Sequence, residues 1–235
     1  MKKVLFFAIL FAGCVFALNA QTKSEFQIGI ASPQGDFADD DEDDFLYDGS
    51  GIAGTGFYFG YKLIAPLNSN GLFWTLNAGV MYNDLQKDFK DDIEEELDDE
   101  DYDDYSLPKY INIPLLAGLQ LEKEVSDNVK LFGEAGLGLN ILKITNLSYS
   151  GEDYYGNNFE STESYEPSIK LGYKIGAGIV IQDKFTIALN YMILGSHKVK
   201  YEWEEVYDGD KDSDNDKFDK ALPVRSLNIT LGIRF

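Results

Sequence analysis

The only histidine of the 235-residue chain, His197, stands beside the hydroxyl of Ser196. A serine nucleophile needs a base held against it, and the base needs a third group to orient it. The pair follows an alternating segment, Phe185 to Ile193, and successive residues of a strand point to opposite faces. Ser196 and His197 are therefore not expected to meet. The chain reads as non-enzymatic, with no catalytic or cofactor-binding residue. A second candidate is Asp208-Gly209-Asp210-Lys211-Asp212-Ser213-Asp214-Asn215-Asp216. Counted from Asp210, its acids fall at positions 1, 3, 5 and 7 of a calcium loop. Asn215 takes the place of the turn glycine, and Ala221 that of the bidentate glutamate. The expectation is an acidic loop tip with weak calcium binding at most, and no metal-ligating residue is assigned.

Charged residues also stand inside otherwise apolar segments. Lys62, Lys130, Glu134, Lys170, Lys174 and Arg234 share the polar faces of alternating runs. A buried charge is costly unless paired. Counting along two neighbouring antiparallel strands puts Glu134 and Lys174 near the same height, so they are expected to face each other. With Phe132 and Tyr58 they are expected to fill an interior as a plug.

The elements that position these residues are strands. Eight segments alternate apolar and polar residues with period 2: Phe26 to Ser32, Ala53 to Leu63, Leu72 to Asn83, Tyr110 to Leu121, Val129 to Ile141, Ile169 to Ile181, Phe185 to Ile193, and Ser226 to Phe235. Most approach the length a tilted membrane strand needs. One face is apolar throughout. The other is rich in Gly, Asn and Thr, which suits a narrow interior better than a solvated exterior. Tyr61, Trp74, Phe185 and Phe235 fall at strand ends on the apolar face, as an interfacial aromatic girdle requires. The fold class that follows is all-β: an eight-stranded antiparallel transmembrane up-and-down β-barrel.

The connections are lopsided. Ile64 to Gly71, Glu122 to Asn128 and Gln182 to Lys184 are short. Pro33 to Gly51, Asp84 to Lys109, Lys143 to Ser168 and Gly195 to Pro223 are long and hold most of the 41 acidic residues. Short periplasmic turns and long external loops are the pattern of outer-membrane barrels, so the acid is expected in external loops. The formal charge of −21 excludes nucleic acid as a partner. The runs Asp39 to Asp44 and Lys90 to Asp104 are expected to be solvated loop. At the start of the second, Phe89, just before it, and Ile93 and Leu97 are spaced for one face of a short helix over the barrel mouth.

Residues 1–20 read as a signal peptide: Lys2 and Lys3, then the apolar run Val4 to Ala12, with cleavage after Ala20 or Ala17. Phe11-Ala12-Gly13-Cys14 is similar to a lipobox, but Val15-Phe16-Ala17-Leu18 is a greasy start for a lipoprotein, so Cys14 reads as part of the discarded leader. Residues 21–235 then form one barrel domain without cysteine.

The chain resembles the eight-stranded outer-membrane β-barrel family of Bacteroidetes, the PorT-type or "porin family", with OmpA/OmpX-like architecture. The resemblance rests on Ile28-Gly29-Ile30-Ala31-Ser32-Pro33-Gln34-Gly35-Asp36-Phe37, on Tyr110-Ile111-Asn112-Ile113-Pro114-Leu115-Leu116, and on the terminal strand ending in Phe235. It implies outer-membrane lipid as surroundings and the barrel-assembly machinery as a partner of that strand. Pro114 removes a ladder donor and is expected to mark a bulge or strand start. Two uses of such a barrel remain open from sequence. One is structural anchoring or adhesion through acidic external loops, toward an unidentified partner. The other is an accessory of an envelope secretion or assembly complex, or a small porin-like channel.

Overall fold

A computed structural model describes residues 22–39, 49–99, 102, 104–152 and 157–235. The expected signal peptide with Cys14, and most of the Asp39 to Asp44 run, lie outside them. The elements are β1 (Lys23–Pro33), a 3-10 turn (Gly35–Phe37), β2 (Gly56–Pro66), β3 (Leu72–Asn83), α1 (Lys87–Asp99), β4 (Asp104–Ser106), β5 (Tyr110–Ser126), β6 (Val129–Ile144), β7 (Leu147–Glu152), β8 (Asn158–Tyr165), β9 (Ser168–Ile181), β10 (Phe185–His197), β11 (Lys200–Tyr207), β12 (Asp210–Lys217) and β13 (Leu222–Arg234).

Eight strands close in the order β1-β13-β10-β9-β6-β5-β3-β2, every neighbour antiparallel. Closure leaves no edge to aggregate. The apolar faces point outward. Phe26, Phe59, Leu137, Leu171, Ile229, Leu231 and Ile233 are all exposed, as direct contact with lipid demands. Among the described residues, no helix is long and apolar enough to cross a membrane; the strands make the crossing.

The strands match the sequence expectation in number, order and face, and most run further than expected. β5 continues to Ser126, β10 to His197, and β1 begins at Lys23. β2 instead starts at Gly56 rather than at Ala53, which makes only an isolated bridge to Leu85. Pro114 is neither a bulge nor a strand start. It sits within β5 at unchanged register, and the β3–β5 ladder lacks pairs between Ala78↔Leu115 and Met81↔Asn112. The missing donor is absorbed as a local gap while β6 still pairs Pro114 with Asn140. At the turn end of the barrel, Gln182 and Asp183 both take positive φ (53° and 55°) between β9 and β10. Lys184 N–H closes this turn on the Ile181 carbonyl at 3.1 Å. Two successive positive φ angles give the turn the twist of its flanking strands.

The long connections are not plain loops. β4, β7, β8, β11 and β12 build a second antiparallel sheet in the order β12-β11-β8-β7-β4. Below it, at the loop end of the barrel, Phe37, Tyr110, Leu142, Leu194, Phe218 and Leu222 belong to one buried apolar cluster. Phe37 and Tyr110 meet edge to face at 5.1 Å. The expected helix is α1, and Phe89, Ile93 and Leu97 pack against this cluster. The acidic run from Lys90 is thus helix as far as Asp99, held by its apolar stripe, rather than solvated loop.

Candidate functional site

The barrel interior holds a compact charge network near the turn end. Arg234 Nε donates to Glu25 Oε2 at 2.6 Å, and its Nη1 donates to Glu122 Oε1 at 2.6 Å. Lys62 Nζ lies 3.3 Å from Glu25 Oε1 and 3.5 Å from Glu134 Oε2, and donates to Gln120 Oε1 at 3.2 Å. Lys174 Nζ donates to Glu134 Oε1 at 2.9 Å. All six charged residues are buried. Three carboxylates offset three cations, which is how a narrow interior tolerates ions that would each be costly alone.

The expected Glu134–Lys174 contact is present. Lys62 and Arg234 are also interior, as expected, whereas Lys170 and Lys130 are not. Lys170 is exposed, and Lys130 reaches the rim, where its Nζ donates to Asp183 Oδ1 at 2.6 Å. That bond, with Lys23 adding to it, holds the Asp183 carboxyl below its ordinary value. Sequence reasoning misses Glu25 and Glu122 because they lie in strand extensions beyond the alternating cores. The signal available is the imbalance itself: five cations against one anion cannot be buried together.

Two aromatics, Tyr58 and Phe132, are buried in the same interior. Tyr58 is buried and its hydroxyl donates to Asn77 Oδ1 at 3.1 Å. A Cβ at Gly60 or at Gly79 would stand 2.6 Å from the Tyr58 hydroxyl. These two glycines form the slot that the phenol occupies. Phe132 lies under Lys62, whose Nζ is 5.1 Å from the ring centroid.

The single histidine, His197, points into the barrel. It is fully buried, with Nε2 3.0 Å from the Leu194 carbonyl and 3.3 Å from Asn140 Nδ2. Ser196 is exposed. The two point to opposite faces, after a register shift in β10 at which Gly195 takes φ 97°.

The sheet above the mouth sorts its aromatics and its lysines by face, with carboxylates on both. Register places Tyr149 opposite Ser161, Glu163 opposite Trp203, and Trp203 opposite Asp214. Directly paired residues share a face, so this face carries Tyr149, Glu163, Tyr201, Trp203 and Glu205, and the row Asp210, Asp212, Asp214 and Asp216 along β12. The sheet's strand lysines, Lys200, Lys211 and Lys217, all fall on the other face, where Lys211 pairs with Glu204 at 2.6 Å. Leu147, Tyr149, Ser161, Glu163, Tyr201, Trp203 and Glu205 line a groove of about 470 Å³ on the acidic face. Burial, then the carboxylates of Asp216, Glu163, Asp219 and Asp214, push the Tyr201 phenol above its ordinary value.

The Asp208–Asp216 segment is not a calcium loop. Asp208-Gly209 is the turn of a hairpin and Asp210–Lys217 is a strand. An extended strand spreads alternate carboxylates about 6.8 Å apart, so they cannot wrap one ion. Asp212, Asp214 and Asp216 instead accept the following backbone N–H at 2.8 Å each.

Among curated proteins, none matches this chain. Solved structures do. A major outer membrane protein from Thermus thermophilus is similar at 12% identity and a TM-score of 0.50, over 92% of this chain and 100% of that one. OprG from Pseudomonas aeruginosa is similar at 12% identity and 0.46, over 91% and 95%. Neisserial surface protein A is similar at 14% identity and 0.45, over 91% and 95%. The Thermus likeness shows a shared fold. Residues 19–201 match the family model described as "Outer membrane protein beta-barrel domain". With that match over most of its length, the chain belongs to the outer membrane β-barrel domain family.

Proposed function

We propose that this protein is a non-enzymatic outer-membrane barrel, closed to passage, that presents its loop-end sheet outside the cell as an interaction surface. The observation that carries this reading is the five-stranded sheet itself, an ordered structure built on the long connections and seated on the mouth cluster. The interior supports the closed state: ion pairs, Tyr58 and Phe132 occupy the space that a pore would need. In this reading residues 1–20 direct export, the strand ending in Phe235 engages the assembly machinery, and the short turns face the periplasm. The stretch around Pro114 and the terminal strand support a PorT-type membership.

Two measurements test it. Asp212→Cys on intact cells should react with a membrane-impermeant maleimide; reaction only after lysis would reverse the orientation. Purified protein in planar bilayers should show no steady conductance. A large, steady conductance would overturn the closed interior and favour a channel.

A further inference from the structure

We propose that the acidic face of the mouth sheet receives an extended basic peptide segment along its β12 edge, one Arg or Lys side chain reaching inward over Trp203 into the groove and alternate ones lying along β12. This rests on the sheet being an external interaction surface.

Three observations converge. The groove is a cavity of about 470 Å³ in which aromatic faces and carboxylates occur together. A cation over an aromatic face gains from the ring quadrupole, and more where it is partly desolvated. Glu163 and Glu205 flank the rings, and Glu163 is buried. Second, no strand lysine of this sheet shares the face, so the sheet's own strands set no cation beside the acid row of β12. Carboxylates such as Glu202 and Glu204 stand on the other face too, but there they share it with all three lysines, whereas the aromatics and the β12 acid row share a face without one. Third, β12 ends the order of its sheet, and every residue of it is exposed. Its aspartates repeat at two-residue spacing, the same repeat with which alternate side chains of an extended partner strand recur. A partner strand on this edge would set residues i, i+2 and i+4 against Asp212, Asp214 and Asp216, and Trp203 lies one strand inward.

The test uses the full-length protein in nanodiscs and a fluorescein-labelled peptide of alternating Arg and Ser. Fluorescence anisotropy should show saturable binding that weakens with salt. Trp203→Ala should weaken it about tenfold, and Glu205→Gln about threefold, with heat-modifiability of the barrel unchanged. Lys211→Gln, on the opposite face, should leave it within about twofold. Equal loss for Lys211→Gln, or no loss for Trp203→Ala, would overturn the groove. Tight binding of tetramethylammonium alone, with no preference for the peptide, would also overturn it. Maleimide labelling of Asp212→Cys on intact cells separates the two readings: surface labelling without peptide binding sinks only the groove, and absence of surface labelling sinks the external sheet.

Discussion

Lys174 Nζ reaches Glu134 Oε1 at 2.9 Å although neither is the other's ladder partner: Glu134 pairs with Gly176, and Lys174 with Gly136. The bond is a diagonal across the β6–β9 ladder, open because both direct partners are glycines. Glu134 also serves Lys62, whereas Lys174 has no second carboxylate ion-paired to it among the described residues. Glu134→Gln should therefore cost about 3 kcal/mol, and Lys174→Met less. In denaturant unfolding from bilayers the double variant should be less destabilised than the sum of the two. Additive costs would show that the diagonal bond carries no coupling.

Arg234 joins β13 to β1 through Glu25 and crosses the interior to β5 through Glu122. Two N–H groups at fixed angles serve two carboxylates, which a lysine cannot reproduce. Arg234→Met should lower stability by about 3 kcal/mol, and Arg234→Lys should recover less than half. The unfolding midpoints at constant m-value check both.

Tyr58 and its two glycines should behave as one packing unit. Gly79→Ala should destabilise by about 2 kcal/mol in the parent chain. In a Tyr58→Ala background the same change should cost almost nothing, since its clash is with the phenol. Equal costs in both backgrounds would count against the slot.

Asp183 should add a small acid-labile increment. Its folded carboxyl titrates below the ordinary aspartate value because Lys130 and Lys23 hold it charged. The increment is therefore full above the ordinary value of 3.8 and is lost as pH falls through the lower folded one. The site is exposed, so solvent screening limits it to about 0.5 kcal/mol. Unfolding midpoints from about pH 6 down to about pH 2 should converge for wild type and Asp183→Asn.

Phe235 should matter for assembly more than for the finished fold. Its carbonyl accepts from Ser24 N–H at 2.9 Å, and its ring lies 5.4 Å from Phe26. Deleting it should lower the yield of folded barrel in membrane fractions; an unchanged yield would sink the assembly role.

The barrel is legible in the sequence because alternation is a strong signal where one face meets lipid. Alternation alone marks both ends of Leu72–Asn83. The mouth sheet is not legible in the same way. Asp210–Lys217 has almost no intrinsic strand preference, and it is extended because β11 pairs with it along its whole length. Lys200–Tyr207 does alternate, with Tyr201 and Trp203 two apart, and that signal is readable. At the site, counting residues places Glu134 and Lys174. It does not place Glu25 and Glu122, because they lie beyond the apolar run that defines a strand's limits in sequence.

The mouth sheet is continuous with the barrel wall across two-residue links at three neighbouring strands, β6 leading into β7 across Thr145 and Asn146. β8 leads into β9 across Glu166 and Pro167, and β10 leads into β11 across Lys198 and Val199. β9 and β10 are themselves hydrogen-bonded from Phe185↔Ile181 to Ile193↔Tyr173. A load applied to the sheet by something bound to it would reach the wall lengthwise along β6, β9 and β10. Pulled from the same end, the loaded strands would be held by shear in the ladders that flank them, β5–β6 and β10–β13, whose rungs resist together.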